Sequence, residues 1–185
     1  KRMDTNIERN IRILEKGIKV EKRKDPRTLV YLAKAYVDKG KMSKDPASTK
    51  INFNLALTLF GEYLDGYGKL GTPGYQEGSG WPQERATAWG YIADVAVISR
   101  NYSMAIEALQ SAINEAPEFP NYYVDLAMVY SIMGDFKKAK HWLTVATSME
   151  SPKTTIVQTP RDFMTRALEV GYQVGMNTNN LEKVP

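Results

Sequence analysis

The chain contains no cysteine, which excludes disulfide frameworks, thiolate zinc sites and thiol nucleophiles together. It contains one histidine, His141, so a Ser-His-Asp triad, a two-histidine metal site or a histidine relay would rest on a single side chain. No two aspartates stand one residue apart, and the Asp-x-Asp pair of metal-bound nucleotide-sugar sites is therefore missing. No apolar run approaches the ~20 residues of a transmembrane helix, and the basic N-terminus lacks the apolar stretch of a signal peptide. Neither metal nor cofactor is expected, and the cytoplasm is the expected compartment. What remains is 185 residues and 20.9 kDa, one domain or two small ones, able to bury roughly 70% of the surface of its unfolded chain. The chain begins at Lys1 rather than methionine, which reads as a processed or excised piece.

Charge is unevenly placed. Residues 1–50 carry a net +8, and residues 51–185 a net −4. Such asymmetry marks a surface for nucleic acid, anionic lipid or an acidic partner domain, or else a solvated helix face. Here basic residues alternate with apolar ones at helical spacing, which favours the solvated face.

Internal repetition decides the fold. An offset of 34 residues aligns Gly134-Asp135-Phe136 with Arg100-Asn101-Tyr102. The same offset pairs Trp89 with Tyr123, Ile92 with Leu126, Ala93 with Ala127, Ala105 with Ala139, Leu109 with Leu143 and Ala112 with Ala146. This large–small alternation at a period of 34 resembles the tetratricopeptide repeat, a helix-turn-helix unit. Two antiparallel helices approach closely only where small residues meet large ones, so the alanines are holes for Trp89, Ile92 and Leu109. The expectation is an all-α, tetratricopeptide-like right-handed superhelix of antiparallel helix pairs, an α-solenoid.

The units follow from this register. Unit two is expected over 86–119, ended by Pro117, and unit three over 120–153, ended by Ser151-Pro152. Unit one, 26–64, starts at Pro26 and carries Leu29, Leu32, Ala33, Tyr36 and Gly40, with Ala56 and Phe60 on its second helix. Gly40 to Ala56 spans 16 residues where Gly134 to Ala139 spans 5, so 41–50 reads as a polar inserted loop. A lead helix over about 7–24 presents Ile11, Leu14 and Ile18. A terminal helix over 160–175 presents Phe163, Ala167, Leu168 and Tyr172, and Leu181 to Val184 read as the start of a further helix. Between units one and two, the stretch 65–82 has six glycines from Gly66 to Gly80; it reads as a surface loop, or as a binding insertion on one face of the array.

Two apparent motifs carry no chemistry. Gly66-Tyr-Gly-Lys-Leu-Gly71 matches G-x-G-x-x-G, but that pattern needs a preceding strand and a helix opening on its last glycine. A helix precedes it here. The aromatic residues Tyr31, Tyr36, Trp89, Tyr91, Tyr122, Tyr123, Tyr130 and Trp142 recur at helical spacing and read as core rather than as a base-stacking surface.

The first helix of each pair lines the concave side of such an array, where peptides bind. By register the inward positions include Arg27, Val30, Lys34, Val37 and Asp38, then Thr87, Gly90, Asp94, Val97 and Ile98, then Asn121, Val124, Met128, Ser131 and Ile132. Arg27, Lys34, Asp38, Thr87, Asp94, Asn121 and Met128 are the groove-binding candidates. Chaperone-adaptor members of the repeat family clamp a C-terminal carboxylate with Lys and Asn on these helices. Lys34 matches one such position, but Asp94, Met128 or apolar residues stand where the Asn residues would.

The order of segments carries a further resemblance. Arg9-Asn10-Ile-Arg-Ile-Leu-Glu-Lys16, then Asp25-Pro-Arg-Thr-Leu-Val-Tyr-Leu-Ala-Lys-Ala-Tyr36, then Tyr63-Leu64, then Gly80-Trp81-Pro-Gln-Glu-Arg85 resembles the tetratricopeptide region that follows the catalytic domain of many bacterial and phage family 2 glycosyltransferases. The resemblance spans Arg9 to about Met149. It implies a non-catalytic module, the C-terminal part of a glycosyltransferase, that positions an acceptor or mediates subunit contacts; any catalytic domain would lie before Lys1. The alternatives are a free-standing scaffold holding a peptide or helix in its groove, and nucleic-acid binding through residues 1–50, whose affinity would fall steeply with salt.

Overall fold

Four helices begin on proline: Pro26, Pro46, Pro82 and Pro120 each stand at a first helical position, where the missing N–H has no intrahelical acceptor to lose. The computed structural model describes residues 2–20, 26–66, 81–149, 169–171 and 175. Seven helices are α1 (Arg2–Val20), α2 (Pro26–Met42), α3 (Pro46–Gly66), α4 (Pro82–Ile98), α5 (Tyr102–Glu115), α6 (Pro120–Ile132) and α7 (Phe136–Ser148). No strand occurs among the described residues, and none of their helices is long and apolar enough to cross a membrane. The fold is all-α, with neighbouring helices packed in pairs. The chain divides into two compact units, Lys1–Val95 and Ala96–Pro185.

In the first unit α2 packs on both α1 and α3. Its core is built from large side chains: Phe60 and Tyr63 are fully buried, with Leu29, Val37, Leu32 and Phe53 around them. Gly40 lets α3 come close, since a β-carbon there would collide with the Phe53 ring. Ile11 anchors α1 in this core, and the Tyr36 hydroxyl donates to Glu15 Oε1 at 2.6 Å. Burial first, then that hydrogen bond and the charge on Glu15, push the Tyr36 phenol up to about 12.

The expected polar loop 41–50 is mostly helix. α2 continues to Met42 and α3 opens at Pro46, which leaves only Ser43 to Asp45 between them. Asp45 caps α3, its carboxylate accepting from the backbone N–H of Ser48 at 2.9 Å and of Ala47 at 3.3 Å. A capping aspartate before a first-position proline is a strong helix start, so the inserted residues lengthen two helices. Likewise α4 opens at Pro82, four residues before the expected start of unit two at 86.

In the second unit α6 packs on α5 and α7, and alanine fills much of the core, alongside the buried aromatics Phe119 and Tyr122. Ala105, Ala108, Ala112, Ala127, Ala139 and Ala146 are all buried, meeting Leu109, Leu126, Val124 and Val129. The 34-residue period persists down to single atoms. Asn101 caps α5 through Met104 N–H (3.3 Å), and Asp135 caps α7 through Lys138 N–H (3.1 Å). The turn before each cap uses a left-handed residue: Gly134 at φ +81° and, 34 residues earlier, Arg100 at φ 58°. Of the expected terminal helix 160–175, residues 169–171 and 175 are helical and Val170 is buried with Ala139 and Ala146. Phe163, Ala167, Leu168 and Tyr172 lie outside the described residues, as does 67–80 of the glycine-rich stretch.

Candidate functional site

Arg27, Lys34 and Lys41 recur every seven residues along α2, two helical turns apart and so on one face. All three are exposed, and each reaches to α4 or the residue before it. The Arg27 guanidinium lies 5.1 Å from the centre of the Trp81 ring and its Nε 3.6 Å from Glu84. The Lys34 ammonium lies 5.8 Å from the centre of the Tyr91 ring, and Lys41 pairs with Asp94 at 2.8 Å. The partners advance along α4 in the same direction as the cations along α2, so the two helices run in the same direction. Exposed pairs and cation–π contacts of this kind contribute about 0–1 kcal/mol each. The ladder therefore specifies alignment more than it adds stability.

The start of α4 is also tied to the end of α3. The Tyr63 hydroxyl donates to Glu84 Oε2 at 3.2 Å, and the buried Arg85 donates to the Leu64 carbonyl at 3.1 Å. The Trp81-to-Arg85 segment thus joins three helices. Phe60 of α3 stacks on Tyr91 of α4, the ring centres 5.8 Å apart and the planes nearly parallel.

On the other flank of α2 a cleft of about 420 Å³ opens against α1, lined by Asn10, Ile13 and Leu14 from α1 and by Tyr31, Lys34, Ala35 and Asp38 from α2. Its apolar edges are exposed, Ile13 by 60% and Tyr31 by 58%. Lys34 stands between this cleft and α4. Its ammonium is held above the ordinary lysine value by Tyr91, through charge first and a hydrogen bond besides; Asp38 and Tyr31 add to the rise and burial opposes it.

The candidates read from the repeat register divide accordingly. Arg27, Lys34, Asp38 and Asp94 come together on the α1–α2–α4 face of the first unit. Thr87 spends its hydroxyl inside α4, donating to the Gln83 carbonyl at 2.7 Å. Asn121 is buried, 6% exposed, with no hydrogen-bond partner for its Nδ2 among the described residues. Met128 packs on Val124, Ala127, Ala139, Ala146 and Val170. Of the other inward positions, Val30, Val37, Val124 and Ser131 are buried, whereas Ile98 and Ile132 are about half exposed, at 47% and 48%. Asn10 and Ile13 were not among the candidates, and Tyr31, read from its spacing as core, is exposed instead. The 3–4 spacing of Ile11, Leu14 and Ile18 places Ile13 off the buried stripe of α1, which was the available signal. His141 is exposed, its ring roughly perpendicular to that of Trp142 with centroids 5.2 Å apart. No cluster of three or more potential metal ligands occurs among the described residues. Gly66 ends helix α3, so no strand precedes the glycine pattern.

Comparison with known proteins agrees with this geometry. The tetratricopeptide repeat family model matches residues 120–151, which hold α6 and α7. The crystal structure of MamA, a tetratricopeptide-like solenoid, aligns over 100% of this chain and 95% of that one, with a TM-score of 0.58 and 18% identity. No curated protein matches the chain by sequence. The tetratricopeptide-like fold is thereby shown.

Proposed function

We propose that this chain is a non-catalytic helical-repeat module that binds a segment of another protein on the α1–α2–α4 face of its first unit. The carrying observation is the α1–α2 cleft. Exposed Ile13 and Tyr31 flank an apolar recess whose rim holds Lys34 and Asp38, a combination of apolar surface and a few placed charges suited to a peptide or helix. A photoreactive phenylalanine in place of Tyr31 tests the reading in extracts of the source cells. The expected result is a discrete protein adduct that disappears with Lys34→Glu and does not form when the same label replaces Lys140, exposed on α7. Adducts no different from those at position 140 would sink it.

The order of the Arg9–Lys16, Asp25–Tyr36, Tyr63-Leu64 and Gly80–Arg85 segments supports a finer reading. In it the module is the C-terminal part of a cytoplasmic glycosyltransferase and places an acceptor, or another subunit, near the sugar-transferring site. Sugar transfer by a full-length parent should then fall when residues 1–185 are removed. Unchanged transfer to the same acceptor ends that reading and leaves the interaction module standing.

A further inference from the structure

The acidic and basic side chains of α1 point to different places. Glu8 reaches Lys39 at 3.9 Å and Glu15 accepts from Tyr36, both on α2. Arg9, Arg12, Lys16 and Lys19, spaced 3, 4 and 3 residues apart, form a stripe about 15 Å long on the outward side of the same helix. All four are exposed, and none lies within ion-pair distance of a carboxylate among the described residues. The contrast with α2 is sharp, because there Arg27, Lys34, Lys39 and Lys41 each have a partner. Beside the free cations stand two exposed aliphatic residues, Ile13 at 60% and Val20 at 73%. Ile13 is also the near wall of the α1–α2 cleft.

Resting on the reading of this unit as a protein-binding module, we infer that the partner segment is an acidic amphipathic helix. Its apolar ridge lies in the α1–α2 cleft and over Ile13 and Val20, and its carboxylates, at 3–4 residue spacing along one flank, meet Arg9, Arg12, Lys16 and Lys19. The chemistry separates this occupant from two others that a basic stripe attracts. A nucleic acid would use the cations, but Ile13 and Val20 beside them are aliphatic, and of these exposed apolar side chains Tyr31 alone offers a ring to stack on. An anionic membrane takes up protruding apolar side chains, whereas Ile13 borders a recess whose rim carries Asn10 and Asp38; a flat anionic surface docked there would press on that carboxylate, while a helix can turn its apolar ridge toward it. A helix with one apolar and one acidic face satisfies both halves of the surface.

The test is fluorescence anisotropy of the full chain with a labelled synthetic peptide of about 18 residues, five helical turns, with leucines on one face and glutamates flanking them. A scrambled peptide of identical composition, a single-stranded oligonucleotide and phosphatidylserine vesicles are the comparisons. The amphipathic peptide is expected to bind about tenfold more tightly than its scramble. Arg12→Glu with Lys16→Glu should weaken it about tenfold and flatten its salt dependence. Arg9→Gln with Lys19→Gln, milder changes at exposed positions, should weaken it less and in the same direction, with circular dichroism unchanged.

Equal affinity for the scramble, indifference to both double variants, or stronger binding of the oligonucleotide or the vesicles overturns the proposal. Self-association abolished by the same variants overturns it too, by giving the face to a second copy. Failure here, with the Tyr31 adduct still formed and still lost in Lys34→Glu, removes the acidic helix alone. Failure of both removes the module's binding role.

Discussion

The two units solve one packing problem with opposite materials. In the first, bulky rings fill the space between helices: Phe60 and Tyr63 are fully buried, and Gly40 yields room to Phe53. In the second, alanines fill much of the core beside Leu109, Leu126 and Val124. The second unit keeps the 34-residue period in its caps and turns, and it is there that the repeat family model matches. The first has exchanged small-residue packing for aromatics and two longer helices. A helix pair thus tolerates either solution, but only the alanine solution keeps the periodic signature by which such repeats are recognised.

Cutting into that contrast should produce its largest effect at Phe60. Phe60→Ala removes a fully buried ring that also stacks on Tyr91, and a loss of about 3–5 kcal/mol is expected. The corresponding injury to the second unit is enlargement, since much of its core is already alanine. Ala139→Leu should cost about 1–3 kcal/mol by overpacking. Urea titration measures both, and equal costs for truncation and enlargement in both units would erase the contrast.

Gly40→Ala sharpens the comparison from inside the first unit. Its new methyl meets ring carbons of Phe53 rather than the yielding tip of a flexible chain, so about 1–3 kcal/mol should be lost despite alanine's better helix propensity. The double variant with Phe53→Leu should recover part of it. A stabilised Gly40→Ala, which propensity alone would predict, contradicts the close approach.

A smaller pair probes the turn that the second unit repeats. Arg100 occupies the left-handed conformation that Gly134 occupies one period later. Arg100→Gly should stabilise and Gly134→Ala destabilise, each by about 1 kcal/mol. Thermal melts of the two variants should move in opposite directions.

The mildest test uses pH, to which the units respond at opposite ends. Tyr36 is raised by burial and by Glu15 from 10.0 to about 12. Its contribution is therefore complete below pH 10 and lost as pH climbs toward 12. Tyrosinate absorbance should show a late titration that shrinks by one residue in Tyr36→Phe, the raised Tyr123 remaining. Asp135 is lowered, first by its hydrogen bond from the Lys138 side chain and next by the Lys138 backbone N–H. Its contribution is present above the ordinary aspartate range and fades as pH falls through and below it. Asp135→Asn, which keeps a capping oxygen, should flatten that acid edge in melts.

Much of the architecture was legible because the period of 34 acts on buried positions. Ile92, Ala93, Ala105, Leu109 and Ala112 are all buried, with Ala127, Ala139 and Ala146 one period on. The 41–50 segment was misjudged although its signal was local: Asp45-Pro46 repeats the Asp25-Pro26 start of α2. Its polar composition outweighed that cue. The site was less legible. The spacing of Arg27, Lys34 and Lys41 is plain in the sequence, yet what each meets depends on how far α4 is shifted along α2, and no single helix encodes that shift. Asn121 and Met128 share a register with groove positions, but both went inward to the α6 core side.

That ladder between α2 and α4 has one more consequence. Three contacts spaced along two parallel helices behave as a vernier: sliding α4 by a single turn takes Trp81, Tyr91 and Asp94 off their cations together. Alignment of the two helices is thereby written in side chains of α2 and α4 and in Trp81 at the start of α4.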